Sequence, residues 1–294
     1  MIKKVGMVGC GAMGAGITQV LLEAGYRVGV REMNSSLLEK GFLEVKKGLE
    51  RSVGKGTLSN IAKEEALSRL SGTLLMEDLK DCDLIIEAAF EEIQVKRDLF
   101  KKLDQICPRE TIFASNTSSL SITEMAAATS RPESIVGLHF FNPAQVMPLV
   151  EVVKTMNTLP EVLSEVLDFT KSLGKVPIVG KDNPGFIVNL LLTPYLMDAI
   201  HALANGVASI QDIDSGMKLG CGHPMGPLML VDLIGLDILY KGGQTMFEAY
   251  KDKRYAPPPL LVQMIRMGYI GKKVGKGFYD WSDPKKPVPQ TLSF

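Results

Sequence analysis

Near its N-terminus the chain runs Ile2-Lys3-Lys4-Val5-Gly6-Met7-Val8-Gly9-Cys10-Gly11-Ala12-Met13-Gly14. An apolar, strand-like run stops in a glycine turn, and a helical pattern follows over residues 12–24. In a GxGxxG string so placed, Gly9 makes the tight turn and Gly11 lets the backbone approach a pyrophosphate. Gly14 allows close helix–strand packing, and the helix N-terminus faces the anion. Gly9, Cys10, Gly11, Ala12, Met13 and Gly14 are therefore a candidate dinucleotide loop, with Cys10 read as a small loop residue. Eighteen residues beyond Gly14, at the end of the next strand-like run, lies Glu32. A carboxylate there accepts both ribose hydroxyls of an adenosine and repels a 2′-phosphate, which favours NAD over NADP. Arg31 could serve a 2′-phosphate, but neighbouring strand residues point to opposite faces and do not share a target. The plainer alternative, a glycine-rich turn and an unrelated surface glutamate, does not explain why strand, loop, helix and acid fall in register.

Outward from this unit, short apolar runs at 27–32, 83–88, 111–114 and 135–140 alternate with helical periodicity at 36–53 and 95–106. Two more strand-like runs, 149–153 and 176–179, bracket a helical stretch near 159–173. Such alternation predicts an α/β fold of Rossmann type, with a mainly parallel sheet and helices on both faces. After Asn183-Pro184-Gly185 the apolar positions keep helical spacing only. The expected domains are 1–184, binding NAD, and 185–294, all-helical and serving substrate binding and dimerisation.

Composition sets limits. Of 294 residues, 46% are hydrophobic, and 33 basic side chains balance 33 acidic ones, so no global field recruits nucleic acid or an anionic membrane. The four cysteines, Cys10, Cys82, Cys107 and Cys221, lie too far apart for zinc-knuckle spacing, so no metal is expected and reduced thiols in the cytoplasm are the default. Lys3 and Lys4 precede an apolar run, but its five glycines make poor signal-peptide material. No apolar run reaches the roughly 18 residues of a membrane span.

Polar groups interrupt the apolar runs at three places. His139 lies in Gly137-Leu138-His139-Phe140-Phe141-Asn142-Pro143, Glu151 in Val150-Glu151-Val152, and Ser118 in Ser115-Asn116-Thr117-Ser118-Ser119. Oxidising a secondary alcohol needs a base for the hydroxyl proton, and a histidine beside a carboxylate can take and return one near neutral pH. Taken singly, His139 reads equally as a hydrogen-bonded strand-end histidine and Glu151 as a charge on an edge strand. His201 and His223 carry no assigned chemistry.

With Asn183-Pro184-Gly185-Phe186-Ile187-Val188-Asn189 and Gly271-Lys272-Lys273-Val274-Gly275-Lys276-Gly277-Phe278-Tyr279, these motifs resemble the 3-hydroxyacyl-CoA dehydrogenases over the whole chain. The resemblance implies His139 as base and Glu151 as its orienting partner, with Ser118 and Asn189 on the reacting oxygen or thioester. It adds Glu91, Lys96, Ser118, Asn142 and Lys273 to the NAD contacts. It places the acyl-CoA substrate against Ser52 and Lys55, with Arg51 a basic neighbour. It also implies a homodimer through the helical domain, where 228–231 and 233–236 read as an exposed apolar stretch. Two positions depart from the family pattern: Leu190 stands where an arginine is usual, and Arg31 precedes the ribose acid. The implied activity is reversible NAD-dependent oxidation of a short-chain (S)-3-hydroxyacyl-CoA, such as 3-hydroxybutyryl-CoA, in fatty-acid β-oxidation. A gulonate-type dehydrogenase of free sugar acids and a non-catalytic structural member are the alternatives.

Overall fold

The structure is a computed structural model and describes residues 2–291. It divides into two compact units, residues up to 186 and residues from 187 on. The first begins β1 (Lys4–Val8), α1 (Ala12–Glu23), β2 (Arg27–Arg31), α2 (Ser35–Gly54), α3 (Asn60–Ser68), β3 (Leu70–Thr73). It continues β4 (Leu84–Glu87), α4 (Ile93–Ile106), β5 (Ile112–Ser115), α5 (Ile122–Ala126), β6 (Ile135–Phe140), β7 (Leu149–Lys154), α6 (Pro160–Ser172), β8 (Val176–Lys181). These eight strands form one sheet in the order β3-β2-β1-β4-β5-β6-β7-β8, and β6–β7 is its antiparallel pair. The doubly wound α/β fold expected from the sequence is thus present, with α3, β3 and α5 added.

Strand alternation explains the two-sided cover. Leu84 and Ile86 of β4, Val136 and Leu138 of β6, and Val150 and Val152 of β7 share one core with Ile17, Leu21, Val45 and Phe169 from α1, α2 and α6. Their neighbours Ile85, Ile135 and Val153 enter a second core with Leu99, Phe100 and Met125 from α4 and α5. With a period of two, His139 shares the face of Ile135, and Glu151 that of Val153. Strand order reverses at β1, where the carboxyl ends of β1 and β4 open a crevice, the usual ligand position in such sheets. Gly9 turns there at φ +90°, and a Cβ on Gly14 would lie 2.0 Å from the Gly9 carbonyl oxygen, so only glycine lets α1 start this close.

The second unit holds α7 (Val188–Ala204), α8 (Ile210–Gly220), α9 (Pro227–Ile234), α10 (Leu236–Tyr250) and α11 (Pro259–Arg266). It is not all-helical as expected: β9 (Tyr279–Asp280) and β10 (Val288–Pro289) pair in a short antiparallel ribbon. Asp232 on α9 fixes that ribbon by accepting the backbone N–H of Phe278 and Tyr279 and the Trp281 indole N–H, each at 2.8 Å. Helical periodicity could not show this, because the anchor is a buried carboxylate outside the ribbon. The expected exposed stretch at 228–236 is also corrected. Leu228, Val231 and Leu236 are fully buried in the unit's own core, and Leu233 is the exposed leucine among them. No helix among the described residues is long and apolar enough to cross a membrane.

Burial pushes the Asp232 carboxyl up to about 6 from an ordinary 3.8. The native state then binds this proton more tightly than the unfolded chain does. Its contribution to stability is whole below the unfolded value and is lost as pH rises through about 6. Urea unfolding of the wild type and Asp232→Asn at a series of pH values reads this directly. The stability difference between them should shift against the wild type by roughly 2–3 kcal/mol over that window. A difference that stays constant across it would mean that burial does not burden the charged form.

Candidate active site

His139 and Glu151 are direct cross-strand partners in the β6–β7 ladder. Partners in an antiparallel pair point to the same face, so the ladder alone brings the two side chains together. His139 Nδ1 lies 2.7 Å from Glu151 Oε2, with the pair 5% and 0% exposed. A carboxylate only accepts, so Nδ1 carries the proton and Nε2 is left with its lone pair. Ser118 Oγ lies 3.1 Å from Nε2. Phe141 and Phe186 flank the imidazole, with ring centroids 4.6 and 5.6 Å away. Phe186 is buried at φ +49°, a left-handed conformation that costs a non-glycine residue about 1–3 kcal/mol and that its packing holds in place.

Two loops present Ser118 and Asn142. Asn116 Oδ1 accepts the Phe140 N–H at 2.9 Å and ties the end of β6 to the serine loop. Asp182, at the end of β8, accepts the N–H groups of Ile122 and Thr123 and the Ser121 hydroxyl. Exposed Asn142 begins the loop between β6 and β7. Lys175 braces that loop, donating to the Ala144 and Met147 carbonyls at 2.7 and 2.9 Å. Burial pushes the Lys175 amine below its usual range. Gln145 links the same loop to α1 by donating to Gln19 at 2.9 Å. Asn116, Lys175 and Asp182 were not singled out in the sequence, though a lysine or aspartate beside apolar strand residues was a usable signal.

The crevice at β1 suits a dinucleotide. Gly11 is exposed, and a Cβ on it would meet nothing within 4 Å, so the backbone at the start of α1 is open to a ligand. Cys10, Ala12 and Met13 complete the loop, and burial pushes the Cys10 thiol up to about 12, away from reactivity. Glu32 is 8% exposed at the end of β2. Its carboxylate accepts the Cys10 N–H at 2.5 Å and the Met33 N–H at 3.1 Å. Arg31 Nε turns instead to the Leu74 carbonyl, at 3.4 Å.

The remaining candidates lie on several other elements. Glu91 and Lys96 form an ion pair at 3.2 Å after β4, and Lys96 is almost wholly buried. Arg51 and Lys55 are exposed at the end of α2, whereas the Ser52 hydroxyl donates to Glu23 and accepts from Gln19, bridging α1 and α2. In the second unit, Asn189 is half-buried in the first turn of α7, and Lys273 donates to both Asp237 oxygens at 2.7 Å. His223 Nδ1 lies 3.0 Å from the Tyr195 hydroxyl. Among the described residues no cluster of His, Cys, Asp or Glu is built to hold a metal.

A mostly parallel sheet opening at a glycine loop, with an acid at the end of β2 and a buried His–Glu pair, is an arrangement suited to a nicotinamide-dependent dehydrogenase. Comparison with known proteins makes this specific. The family model "3-hydroxyacyl-CoA dehydrogenase, NAD binding domain" matches residues 4–183, and "3-hydroxyacyl-CoA dehydrogenase, C-terminal domain" matches residues 185–281. A 3-hydroxybutyryl-CoA dehydrogenase of Clostridioides difficile is 43% identical over 95% of this chain and 99% of its own. The human mitochondrial hydroxyacyl-coenzyme A dehydrogenase is 42% identical over 96% of this chain and 92% of its own. The crystal structure of the (S)-3-hydroxybutyryl-CoA dehydrogenase of Ralstonia eutropha superposes with a TM-score of 0.93 at 41% identity, covering 96% of this chain and all of that one. The chain belongs to the 3-hydroxyacyl-CoA dehydrogenase family. It is an NAD-dependent oxidoreductase acting on CH–OH groups.

Glu32 should dominate the choice between the two nicotinamide cofactors. Steady-state efficiency should favour NAD over NADP by at least ~100-fold, and Glu32→Ser should narrow the gap by about tenfold or more, since it removes charge repulsion in a partly desolvated pocket. Equal efficiency with both cofactors in the wild type would shift the discrimination to Arg31.

Proposed function

We propose that the protein catalyses the reversible oxidation of a short-chain (S)-3-hydroxyacyl-CoA, 3-hydroxybutyryl-CoA above all, to the 3-oxoacyl-CoA. The observation that carries this reading is the buried imidazole held 2.7 Å from Glu151 with Ser118 at its other nitrogen. Neutral His139 takes the substrate hydroxyl proton at Nε2, while the Nδ1–H stays with Glu151, whose charge favours the imidazolium as it forms. Bound NAD supplies the hydride acceptor. In reverse, the imidazolium returns its proton to the carbonyl oxygen of the 3-oxoacyl-CoA. Ser118 and Asn189 orient the reacting oxygen or the thioester. The glycine loop, Glu32, Glu91, Lys96, Asn142 and Lys273 hold NAD. The exposed cations Arg51 and Lys55 suit CoA phosphates, and Ser52 lies beside them.

The names of the relatives favour a CoA thioester over a free acid, and such a substrate suits β-oxidation. We assign NAD binding to 1–184, and substrate binding and dimerisation to 185–294. Exposed Leu191, Leu219, Leu233 and Ile238 in the second unit support a homodimer. Free, buried Cys10, Cys82 and Cys107 support a reducing cytoplasm.

NADH oxidation with acetoacetyl-CoA, beside free acetoacetate and a keto-sugar acid, tests the substrate class. Turnover should require the CoA ester, and equal rates without it would move the protein to the free-acid dehydrogenases. Replacing His139 with Gln should lower kcat by ~10²–10⁴-fold with little change in NADH affinity. Near-normal turnover in that variant would place the proton acceptor elsewhere. Glu151→Gln should cost less and should move the acidic limb of the kcat profile, because the imidazolium loses its counter-charge. Light scattering at micromolar concentration should give twice the chain mass, and a monomer would rule out the dimer.

A further inference from the structure

Glu87 ends β4 and is wholly buried, as is its partner Lys96 on α4, 2.6 Å away. Buried ion pairs rarely stabilise a fold more than apolar side chains of the same size would, so one that is kept invites a reason other than stability. The contacts of this carboxylate lead to the loops at the crevice. Oε1 accepts Lys96 Nζ and the Ala89 N–H, both at 2.6 Å, and Oε2 accepts the Ser115 hydroxyl at 2.6 Å. Ser115 Oγ in turn accepts the Thr117 N–H at 3.2 Å. Lys96 reaches on to Glu91 at 3.2 Å, and Glu91 Oε1 accepts the Thr117 hydroxyl at 2.5 Å and the Ser118 N–H at 3.3 Å.

The loops after β4 and β5 are therefore bound into one charged network of Glu87, Lys96 and Glu91. That network abuts the dinucleotide loop. The Ala88 N–H donates to the Val8 carbonyl at 2.8 Å, and a Cβ on Gly9 would lie 2.7 Å from the Ala88 carbonyl oxygen. Glu91, at 45% exposed, is the member presented to solvent.

We propose that Glu87 is a positioning residue for the cofactor: its buried carboxylate fixes Lys96, and through Lys96 sets Glu91 and the Ser115–Ser119 loop as one wall of the NAD site. It touches neither NAD nor substrate. This rests on the crevice at β1 and β4 being where NAD binds. Glu87→Gln keeps the shape but removes the charge, and turns an amide N–H₂ either toward the Lys96 and Ala89 donors or toward the Ser115 hydroxyl. The wall then loses its anchor while His139 and Glu151, held by their own ladder, keep theirs.

The test is NADH titration by fluorescence on the full-length wild type, Glu87→Gln and Glu87→Asp, with thermal melting and steady-state kinetics on the same samples. For Glu87→Gln the Kd for NADH and the KM for NAD should rise about tenfold or more, with kcat at saturating NAD lowered by a smaller factor, because the same loop carries Ser118. Glu87→Asp, which keeps the charge but withdraws it by one methylene, should shift Kd the same way by a smaller factor. It decides the matter if the glutamine variant does not fold. A purely structural role would lower the melting temperature and leave Kd and KM of the folded fraction unchanged, and that result overturns the proposal. So does a fall in kcat with Kd unmoved. Failure of the wild type itself to bind NADH would instead overturn the cofactor site on which the proposal rests.

Discussion

The antiparallel register of β6 against β7 is the constraint on which the site depends. It sets His139 opposite Glu151 with both side chains on the α4–α5 face of the sheet. A slip of one residue would send one of the two to the other face and would bury an unpaired carboxylate. The flanking pairs make a slip costly, because Leu138 opposite Val152 and Phe140 opposite Val150 belong to the other core. Two hydrophobic cores thus enforce the meeting of two polar side chains. The Lys175 bonds to the Ala144 and Met147 carbonyls hold the loop that connects the two strands.

One pattern recurs along the carboxyl edge of the sheet. Glu32 after β2, Glu87 at the end of β4 and Glu151 in β7 are each less than a tenth exposed. Burying a carboxylate is costly unless donors surround it, and each of these has donors belonging to a functional loop or side chain. Glu32 takes the Cys10 N–H of the glycine loop, Glu87 takes Lys96 and Ser115, and Glu151 takes His139. The second unit repeats the device with Asp214 and Asp232, whose donors are the N–H groups at the start of α9 and around β9. In both units, buried acids fix irregular backbone that apolar packing alone would leave underdetermined.

Sequence carried much of this. The glycine loop, Glu32, and the strands holding His139 and Glu151 stood out because each broke or ended an apolar run. The direction of β7 was also legible in principle: the eight residues between Phe140 and Leu149 are too few for the crossover that a parallel neighbour requires. Other parts were hidden for physical reasons. Leu70–Thr73 is a half-exposed edge strand without an apolar run, and Ile122–Ala126 is too short to show a helical period. Glu87 sits where Glu151 does, as an acid in an apolar strand, yet it reads as an ordinary strand end until Lys96 is seen buried against it. The apolar stretch at 228–236 looked like surface because composition does not say which face of α9 turns inward.

The protonation of His139 is the most direct measure of whether the β6–β7 pair is built for proton transfer. Nitrogen-15 NMR of the imidazole at neutral pH, assigned by comparison with His139→Gln, distinguishes its two neutral tautomers. The geometry requires the Nδ1–H form, with that proton donated to Glu151 and an unprotonated Nε2 facing Ser118. An Nε2–H tautomer would leave the reactive nitrogen without a lone pair, and His139 could not then be the base.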